Sequence, residues 1–441
     1  MKWILATIGL LIFGFVLHLD LLVYAMYVLL GVLFLCRFFT QIWIGQLEAK
    51  RFFDEEILEI GGSIQSKVAV QNIGKLSVPW MIVEDSLSRD ALVQMPPRMK
   101  AEGPRLALAR LHPGETKVLS YRVTFLMRGY YQLGPVLVET GDVFGLHRRF
   151  RIFTEPHYVL VMPKVLPLAG YNLASRRPIG EIRLTHRLFE DPTRMSSIRA
   201  YQQGDPLNRI HWRATARVGQ LQTRTYESSC VTGATFLLDF HAASFSGPTS
   251  VASAELAVVT VASLANAVYL TGQQIGFVSN GRDAADRIRE EGWRAEFLTR
   301  QDAHRRANHL EANTRLRPVI VEAGKGEDRF TQILATLARL EHTDGMAFSA
   351  MTEEAAAKIS RDTTIVAVMS RVTQESAVAL GNLVRRGLLV SAVVVSLEVE
   401  PIPDWARPPD WAELLVEQGI DFRIVNSEES IVNLCAEAIV R

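Results

Sequence analysis

The stretch ATFLLDF, residues 234–240, is a short, nearly continuous apolar run that follows Gly233 and ends around a carboxylate, Asp239. A run of that length bounded by turn residues reads as a strand buried on both faces. Five more such runs follow it: QIGFVSN (274–280), PVIVEA (318–323), TIVAVMS (364–370), LLVSAVVVS (388–396) and DFRIVN (421–426). Helix-like segments separate most of them, and SAELAVVTVASLANAVYL (253–270) has the period and length of a buried helix. Strands alternating with helices predict an α/β doubly wound domain over residues 230–441, its parallel sheet covered on both faces. Ligands in such sheets lie beyond the carboxyl ends of the strands, where the strand order reverses. Asp239 and His241, just past the first strand, stand at that position.

Upstream lies an arginine-rich connector, residues 176–229. Residues 176–224 hold ten arginines and no lysine against four acids, a local charge of +6 in a chain of net charge +1. Its centre is GDPLNRIHWRATARVG, residues 204–219. Asp205 before Pro206 predicts a helix cap and first turn, with a helix from Pro206 to Val218 and a stop at Gly219. Leu207, Ile210, Ala214 and Val218 then share one face, while Arg209, Arg213 and Arg217 share another. Like charges four residues apart cost a few tenths of a kcal/mol per pair, so something anionic is expected opposite them. Arginine favours forked pairing with carboxylates or phosphates. Two uses stay open: an internal clamp onto acids of the neighbouring domain, which is the commoner arrangement, or a partner-facing surface. His211 and Trp212 read as packing residues of the same surface. Nucleic acid is not expected, since the net charge is nearly zero and no recognised binding module is present.

Residues 52–160 have another rhythm. SKVAVQNI, TKVLSYRVTF, YYQLGPVLVET and HYVLVMP are short, rich in Val, Tyr and Thr, and separated by Gly, Pro and Asn signals. That spacing predicts an all-β sandwich. Residues 1–40 contain two uncharged runs, Trp3–Leu17 and Leu21–Cys36, interrupted by His18 and Asp20. Each run is close to or below the ~17 residues needed for a membrane span. A transmembrane helical hairpin is nevertheless favoured over a cleaved signal peptide, because no small-residue cleavage site follows the first run and a second apolar run does. Lys2, Arg37, Lys50 and Arg51 flank the hairpin, which predicts both ends, and the bulk of the chain, on the cytoplasmic side of the inner membrane. Cys36, Cys230 and Cys435 have neither zinc-site spacing nor the even count of a disulfide framework.

GDPLNRIHWRATARVGQLQTRTYE, preceded by IRAYQQ and followed by FLLDF, resembles the signature of the bacterial domain of unknown function 58 family. RGYYQLGPVLVETGDVFGLHRR (128–149) followed by YVLVMP is a second match in the expected order. The resemblance implies a membrane anchor, a carboxyl-terminal domain similar to von Willebrand factor type A, and partnership with a MoxR-type AAA+ ATPase in protein-complex assembly or maturation. Type A domains often hold Mg²⁺ through a D-x-S-x-S motif, whose carboxylate and hydroxyls suit a hard cation. Here Asp239 fits the first position, but His241 and Ala243 occupy the hydroxyl positions and Ser244 is one residue out of register. The expectation is a degenerate site retaining Asp239, with Ser370 on the same crevice, and no cofactor. Asp239 and His241 also fall short of the three or four ligands usual for Zn²⁺.

These readings converge on a membrane-anchored, non-enzymatic adaptor. The rival is a metal-dependent enzyme in which Asp205, His211, Asp239 and His241 converge. No Ser-His-Asp, P-loop or zinc-protease pattern supports the rival.

Overall fold

The computed structural model describes residues 2–53, 57–87, 91–92, 96–168, 189–200, 210–229, 233–286, 316–359, 363–397 and 410–434, and divides the chain into two compact units. The first is built mainly from residues 1–164, the second mainly from residues 165–282 and 341–441.

The first unit begins with two apolar helices, α1 (Lys2–Val16) and α2 (Asp20–Gly45), packed on each other across a turn at His18. At 1.5 Å per residue, α1 is about 22 Å long, short for a bilayer core of roughly 30 Å, whereas α2 is about 39 Å. By length and composition α2 is apolar enough to cross a membrane. It extends well past Cys36, where the uncharged run ends. Its final turns leave the hairpin and join the sandwich: Ile44 is buried with Leu47, Val78, Met81, Leu111 and Val138, and Trp43 packs against the same core.

Two sheets follow. One orders β1 (Leu47–Phe52), β3 (Ser63–Asn72), β7 (Thr116–Phe125) and β5 (Met99–Glu102). The other orders β2 (Ile57–Glu59), β10 (His157–Met162), β8 (Gly129–Gly141), β4 (Val78–Leu87) and β6 (Leu106–Leu111), with β9 (Arg148–Thr154) also on β8. Strands such as β3 alternate buried and exposed residues, which places one row from each sheet in a shared core. The sandwich starts at Leu47 rather than at residue 52, and one of its pairings, β2 with β10, is parallel.

A charge is buried between the sheets. Arg51 of β1 forks onto Asp85 of β4: its Nη2 donates to Oδ1 and its Nε to Oδ2 at 3.1 Å. Asp85 Oδ2 also accepts from Tyr121 Oη of β7 at 2.7 Å, and Arg51 Nη1 donates to the Leu133 carbonyl of β8 at 2.9 Å. Desolvation holds the Arg51 guanidinium down, to about 10, and pushes the Tyr121 phenol up. At neutral pH Arg51 is therefore still a cation and Tyr121 still a donor. Gly134 lies against this guanidinium with φ +91°, and a Cβ there would collide with it.

The second unit opens with a two-stranded ribbon, β11 (Phe189–Ala200) and β12 (Gln222–Ser229), which encloses the short helix α3 (Trp212–Val218). The chain continues through β13 (Gly233–Leu238), α4 (Ser250–Leu270), β14 (Gln274–Ser279), β15 (Val319–Gly324), α5 (Glu327–Arg339), α6 (Phe348–Ala355) and β16 (Thr363–Met369). It ends with α7 (Gln374–Arg385), β17 (Val390–Val395), α8 (Asp410–Glu417), β18 (Asp421–Val425) and α9 (Glu428–Asn433).

The six expected runs form one six-stranded sheet in the order β15-β14-β13-β16-β17-β18. Numbered by position in the chain this is 3-2-1-4-5-6, the order of a doubly wound sheet, which reverses between β13 and β16. Every residue of β13 and β16 is buried, as expected of central strands covered on both faces. Leu237, Ile365, Ala367 and Met369 face a core completed by α6, α7 and α8. α4 packs against β13, β14, β16 and β17. Although α4 is long and apolar enough to cross a membrane, 78% of its apolar window is buried inside the protein, which makes it a core helix.

The sheet is not wholly parallel, as the sequence had implied: β15 runs antiparallel to β14. β15 is an edge strand, only partly buried, and mixed sheets commonly carry their antiparallel member there.

Candidate functional site

The order reversal puts the carboxyl ends of β13 and β16 side by side, tied by the Asp239 N–H donating to the Val368 carbonyl at 2.9 Å. Asp239 is the first residue past β13 and is buried. Its Oδ1 accepts from Asn280 Nδ2 at 2.9 Å and from the His241 N–H at 3.2 Å, and its Oδ2 accepts from Ser244 Oγ at 2.5 Å. Asn280, just past β14, is equally buried. Its Oδ1 accepts from the Phe240 N–H at 2.6 Å, and its Nδ2 also donates to the Met346 carbonyl at 3.1 Å. The His342 ring stacks on Phe240 with centroids 4.1 Å apart.

Ser244 thus reaches Asp239 from outside the D-x-S-x-S register, because residues Ala242–Ser244 form a turn of 3-10 helix that swings its hydroxyl back. His241 does not face the carboxylate with its ring. Its Nδ1 caps that turn by accepting from the Ala243 N–H at 3.1 Å. Ser370 is half-buried, immediately after β16. Asn280 was not singled out from the sequence. Its signal was legible all the same, as the polar residue ending QIGFVSN on the strand beside β13.

No group of three or more His, Cys, Asp or Glu side chains that could hold a metal ion occurs among the described residues. The donor set at the carboxyl end of β13 is one carboxylate, one amide and one hydroxyl, already bonded to one another. That arrangement fixes backbone at a crossover.

The connector helix begins later than expected. Ile210 pairs with Thr223 in an antiparallel bridge, and the His211 N–H donates to the Gln222 carbonyl at 2.8 Å. The chain is therefore extended through His211, and the helix starts at Trp212 instead of Pro206. The cap is His211, whose Nδ1 accepts from the Ala214 N–H at 3.0 Å. Asp205, which was expected to cap this helix, and Arg209 lie outside the described residues. Ile210 is buried in the bridge and Val218 is exposed, so the expected apolar face does not form. Gly219 does end the helix, at φ +74°. Trp212, Arg213 and Arg217 are exposed, and among the described residues neither arginine makes an ion pair. With its ring engaged as a cap, His211 is not brought to Asp239 or His241 as part of any metal-binding group among the described residues.

These caps set a modest local stability. His211→Ala is expected to cost about 1 kcal/mol by removing the acceptor of the Ala214 N–H. Gly219→Ala is expected to cost a similar ~1 kcal/mol by forcing a Cβ into the left-handed region. Hydrogen exchange at the amides of 214–219 should accelerate in both variants, while the amides of β13 and β16 keep their protection.

A family model described as "Protein of unknown function DUF58" matches residues 197–300, which span the end of β11, α3, β12, β13, α4 and β14. The "Uncharacterized protein YeaD" of Bacillus subtilis (strain 168) is 26% identical over 238 residues. That alignment covers 54% of this chain and 56% of the relative, so the chain spans only about half the length of the curated protein it matches. Among solved structures, the CARDB domain of PF1109 from Pyrococcus furiosus gives a TM-score of 0.17 at 17% identity, covering 26% of this chain and 86% of that domain. A PapD-like domain of human CEP192 gives a TM-score of 0.17 at 14% identity, covering 26% of this chain and 83% of that domain. Nothing about fold or function follows from similarity at that level.

Proposed function

We propose that the protein is a membrane-anchored, non-enzymatic adaptor. In this reading α1 and α2 form a transmembrane hairpin in the cytoplasmic membrane, and both units lie on the cytoplasmic side. The second unit acts as a von Willebrand factor type A-like module that docks a protein partner, an AAA+ ATPase of MoxR type, in the assembly or maturation of protein complexes.

One contrast carries the reading. The polar groups at the order reversal are spent on one another, Asp239 on Asn280 and Ser244, whereas Arg213 and Arg217 stand exposed one helical turn apart without an acid among the described residues. Two cations at that spacing cost a few tenths of a kcal/mol unless an anionic surface meets them. Paired guanidinium forks suit carboxylates presented by a protein partner.

The detergent-solubilised full chain, immobilised and offered a purified MoxR-type ATPase, is expected to retain it. Arg213→Glu with Arg217→Glu should reduce retention at least tenfold, about 1.4 kcal/mol or more, with an unchanged thermal midpoint. Undiminished retention by a folded double variant removes the arginine pair from the reading. Protease added to intact spheroplasts should leave the large soluble portion whole, and trimming of that portion would refute the cytoplasmic placement.

A further inference from the structure

The end of the sandwich where α2 enters carries apolar side chains that nothing in the first unit covers. The turn between β8 and β9 is the clearest case. Asp142 is buried and pins it: Oδ1 accepts from the Leu146 N–H at 3.0 Å, Oδ2 from the His147 N–H at 2.5 Å, and the carbonyl from Trp80 Nε1 at 3.1 Å. The Asp142 N–H donates to the His147 carbonyl at 3.0 Å, and Gly145 closes the turn at φ +72°. This well-tethered turn nonetheless points Val143 and Phe144 outward, 74% and 71% exposed. At the same end of the sandwich, the turn from β3 to β4 exposes Ile73 to 61%, with Lys75 and Leu76 exposed beside it.

A rigid turn tipped with a bare aromatic and a bare β-branched residue has lost little of its binding energy to ordering, and uncovered apolar tips of this kind mark contact surfaces. What they contact is indicated by continuity with α2. The final turns of α2 pack against β8 and β9. Those two strands are the ones this turn joins, so the turn stands beside the lower part of the helix. The exposed apolar face of α2 runs from Tyr24 and Val28 through Phe34 and Leu35 to Phe38 and Phe39, directly above those final turns. Cations lie at this level: Arg37 of α2 is exposed, and Arg148 at the start of β9 is exposed too, its Nη1 3.9 Å from Glu139 Oε1. Long basic side chains beside apolar tips are the pairing that suits a lipid surface, with apolar groups below the phosphates and cations at them.

We propose that the β8–β9 turn is a second membrane contact, in which Val143 and Phe144 enter the interfacial layer of the bilayer next to α2 while Arg37 and Arg148 meet lipid phosphates. The contact rests on the reading of α1 and α2 as a membrane anchor. It adds a function the hairpin alone does not supply, because a second point of insertion fixes the tilt and rotation of the sandwich on the membrane.

Site-directed nitroxide depth measurement tests it on the full chain. Cys36, Cys230 and Cys435 are replaced by Ser, one cysteine is introduced per variant by Val28→Cys, Phe144→Cys or Pro104→Cys, and each protein is reconstituted in vesicles of phosphatidylcholine with phosphatidylglycerol. Position 104 lies in the β5–β6 turn at the opposite end of the sandwich and serves as the aqueous reference. Position 28, midway along the uncharged run Leu21–Cys36 of α2, reports the anchor itself. The expected result is a label at 28 deep in the hydrocarbon, and a label at 144 about 5–10 Å inside the headgroup boundary, with an oxygen-to-nickel accessibility ratio several-fold above that at 104. A label at 144 as aqueous as that at 104, with 28 still deep, overturns the second contact and leaves the anchor standing. A label at 144 shielded from both oxygen and nickel also overturns it, since another copy of the protein is then the occupant. An aqueous label at 28 removes the anchor and the contact together. Should Phe144→Cys lose its thermal transition, Val143→Cys reads the same turn.

Discussion

Replacing Asp85 with Ala is expected to lower the stability of the first unit by about 3–5 kcal/mol, because it leaves the Arg51 guanidinium buried without its counter-charge. The side chain of Arg51 is only 4% exposed and that of Asp85 is fully buried, so water cannot take over the lost role without opening the sandwich. Tyr121 loses its acceptor in the same step. The expected fall in thermal midpoint is on the order of 10 °C, read in detergent on the full chain. Hydrogen exchange should place the loss in β1, β3, β4, β7 and β8 and leave β13 and β16 unchanged. A double variant, Arg51→Met with Asp85→Leu, removes both charges and should recover most of the loss. If Asp85→Ala is near-neutral, the pair is not the bolt between the sheets.

The pH behaviour of that pair follows from the direction of the Arg51 shift. Its folded value, about 10, lies below that of an unfolded guanidinium, so between the two the unfolded chain binds more protons than the folded chain. The contribution of Arg51 is therefore constant through the neutral range, and becomes more favourable only as pH rises past about 10. A loss of sandwich stability near neutral pH would have to come from another group.

The pattern of legibility in this sequence follows burial. β13 and β16 were readable because strands covered on both faces leave unbroken apolar runs, and α4 because an all-round apolar helix belongs inside a domain. The buried ion pair was not readable. Arg51 and Asp85 are 34 residues apart and meet only because their strands lie in facing sheets. A boundary set at residue 52 also placed Arg51 outside the sandwich. The connector helix was misplaced for a different reason. Asp205-Pro206 is a strong local start signal in the sequence, but pairing of Ile210 with Thr223 keeps the chain extended at Ile210 and His211, inside the span expected to be helical, and a histidine supplies the cap of the helix that follows. Local propensity lost there to a long-range backbone pairing. At the order reversal, spacing alone predicted that Ser244 was out of register. It did not foresee that the turn at Ala242–Ser244 would return the hydroxyl to Asp239.

Asn280→Ala is expected to destabilise the second unit by roughly 3–5 kcal/mol, the sum expected from leaving buried polar groups unpaired at about 1–3 kcal/mol each. Asn280 is 1% exposed and serves three partners: the Phe240 N–H, the Asp239 carboxylate and the Met346 carbonyl. Those partners belong to the segment after β13 and the segment before α6, so one amide ties two crossovers together at the place where the strand order reverses. The amide is required in both senses, since Oδ1 accepts from one neighbour while Nδ2 donates to two others. Asn280→Asp keeps the size and the acceptor but puts a second carboxyl against Asp239, where the charged form is opposed by its neighbour. The introduced carboxyl then has a folded pKa above its unfolded value near 3.9. Its penalty grows as pH rises above that value and fades as pH falls, because the protonated carboxyl can again donate to Asp239. Asn280→Asp should therefore approach wild-type stability in mildly acidic buffer and fall well below it near neutrality, whereas Asn280→Ala should show a similar deficit in both. Added Mg²⁺ separates structure from latent ligation. If it restores the neutral-pH midpoint of Asn280→Asp but leaves the wild-type midpoint unmoved, the native amide is what keeps this crevice from binding a cation. A rise in the wild-type midpoint with Mg²⁺ would contradict the self-satisfied site.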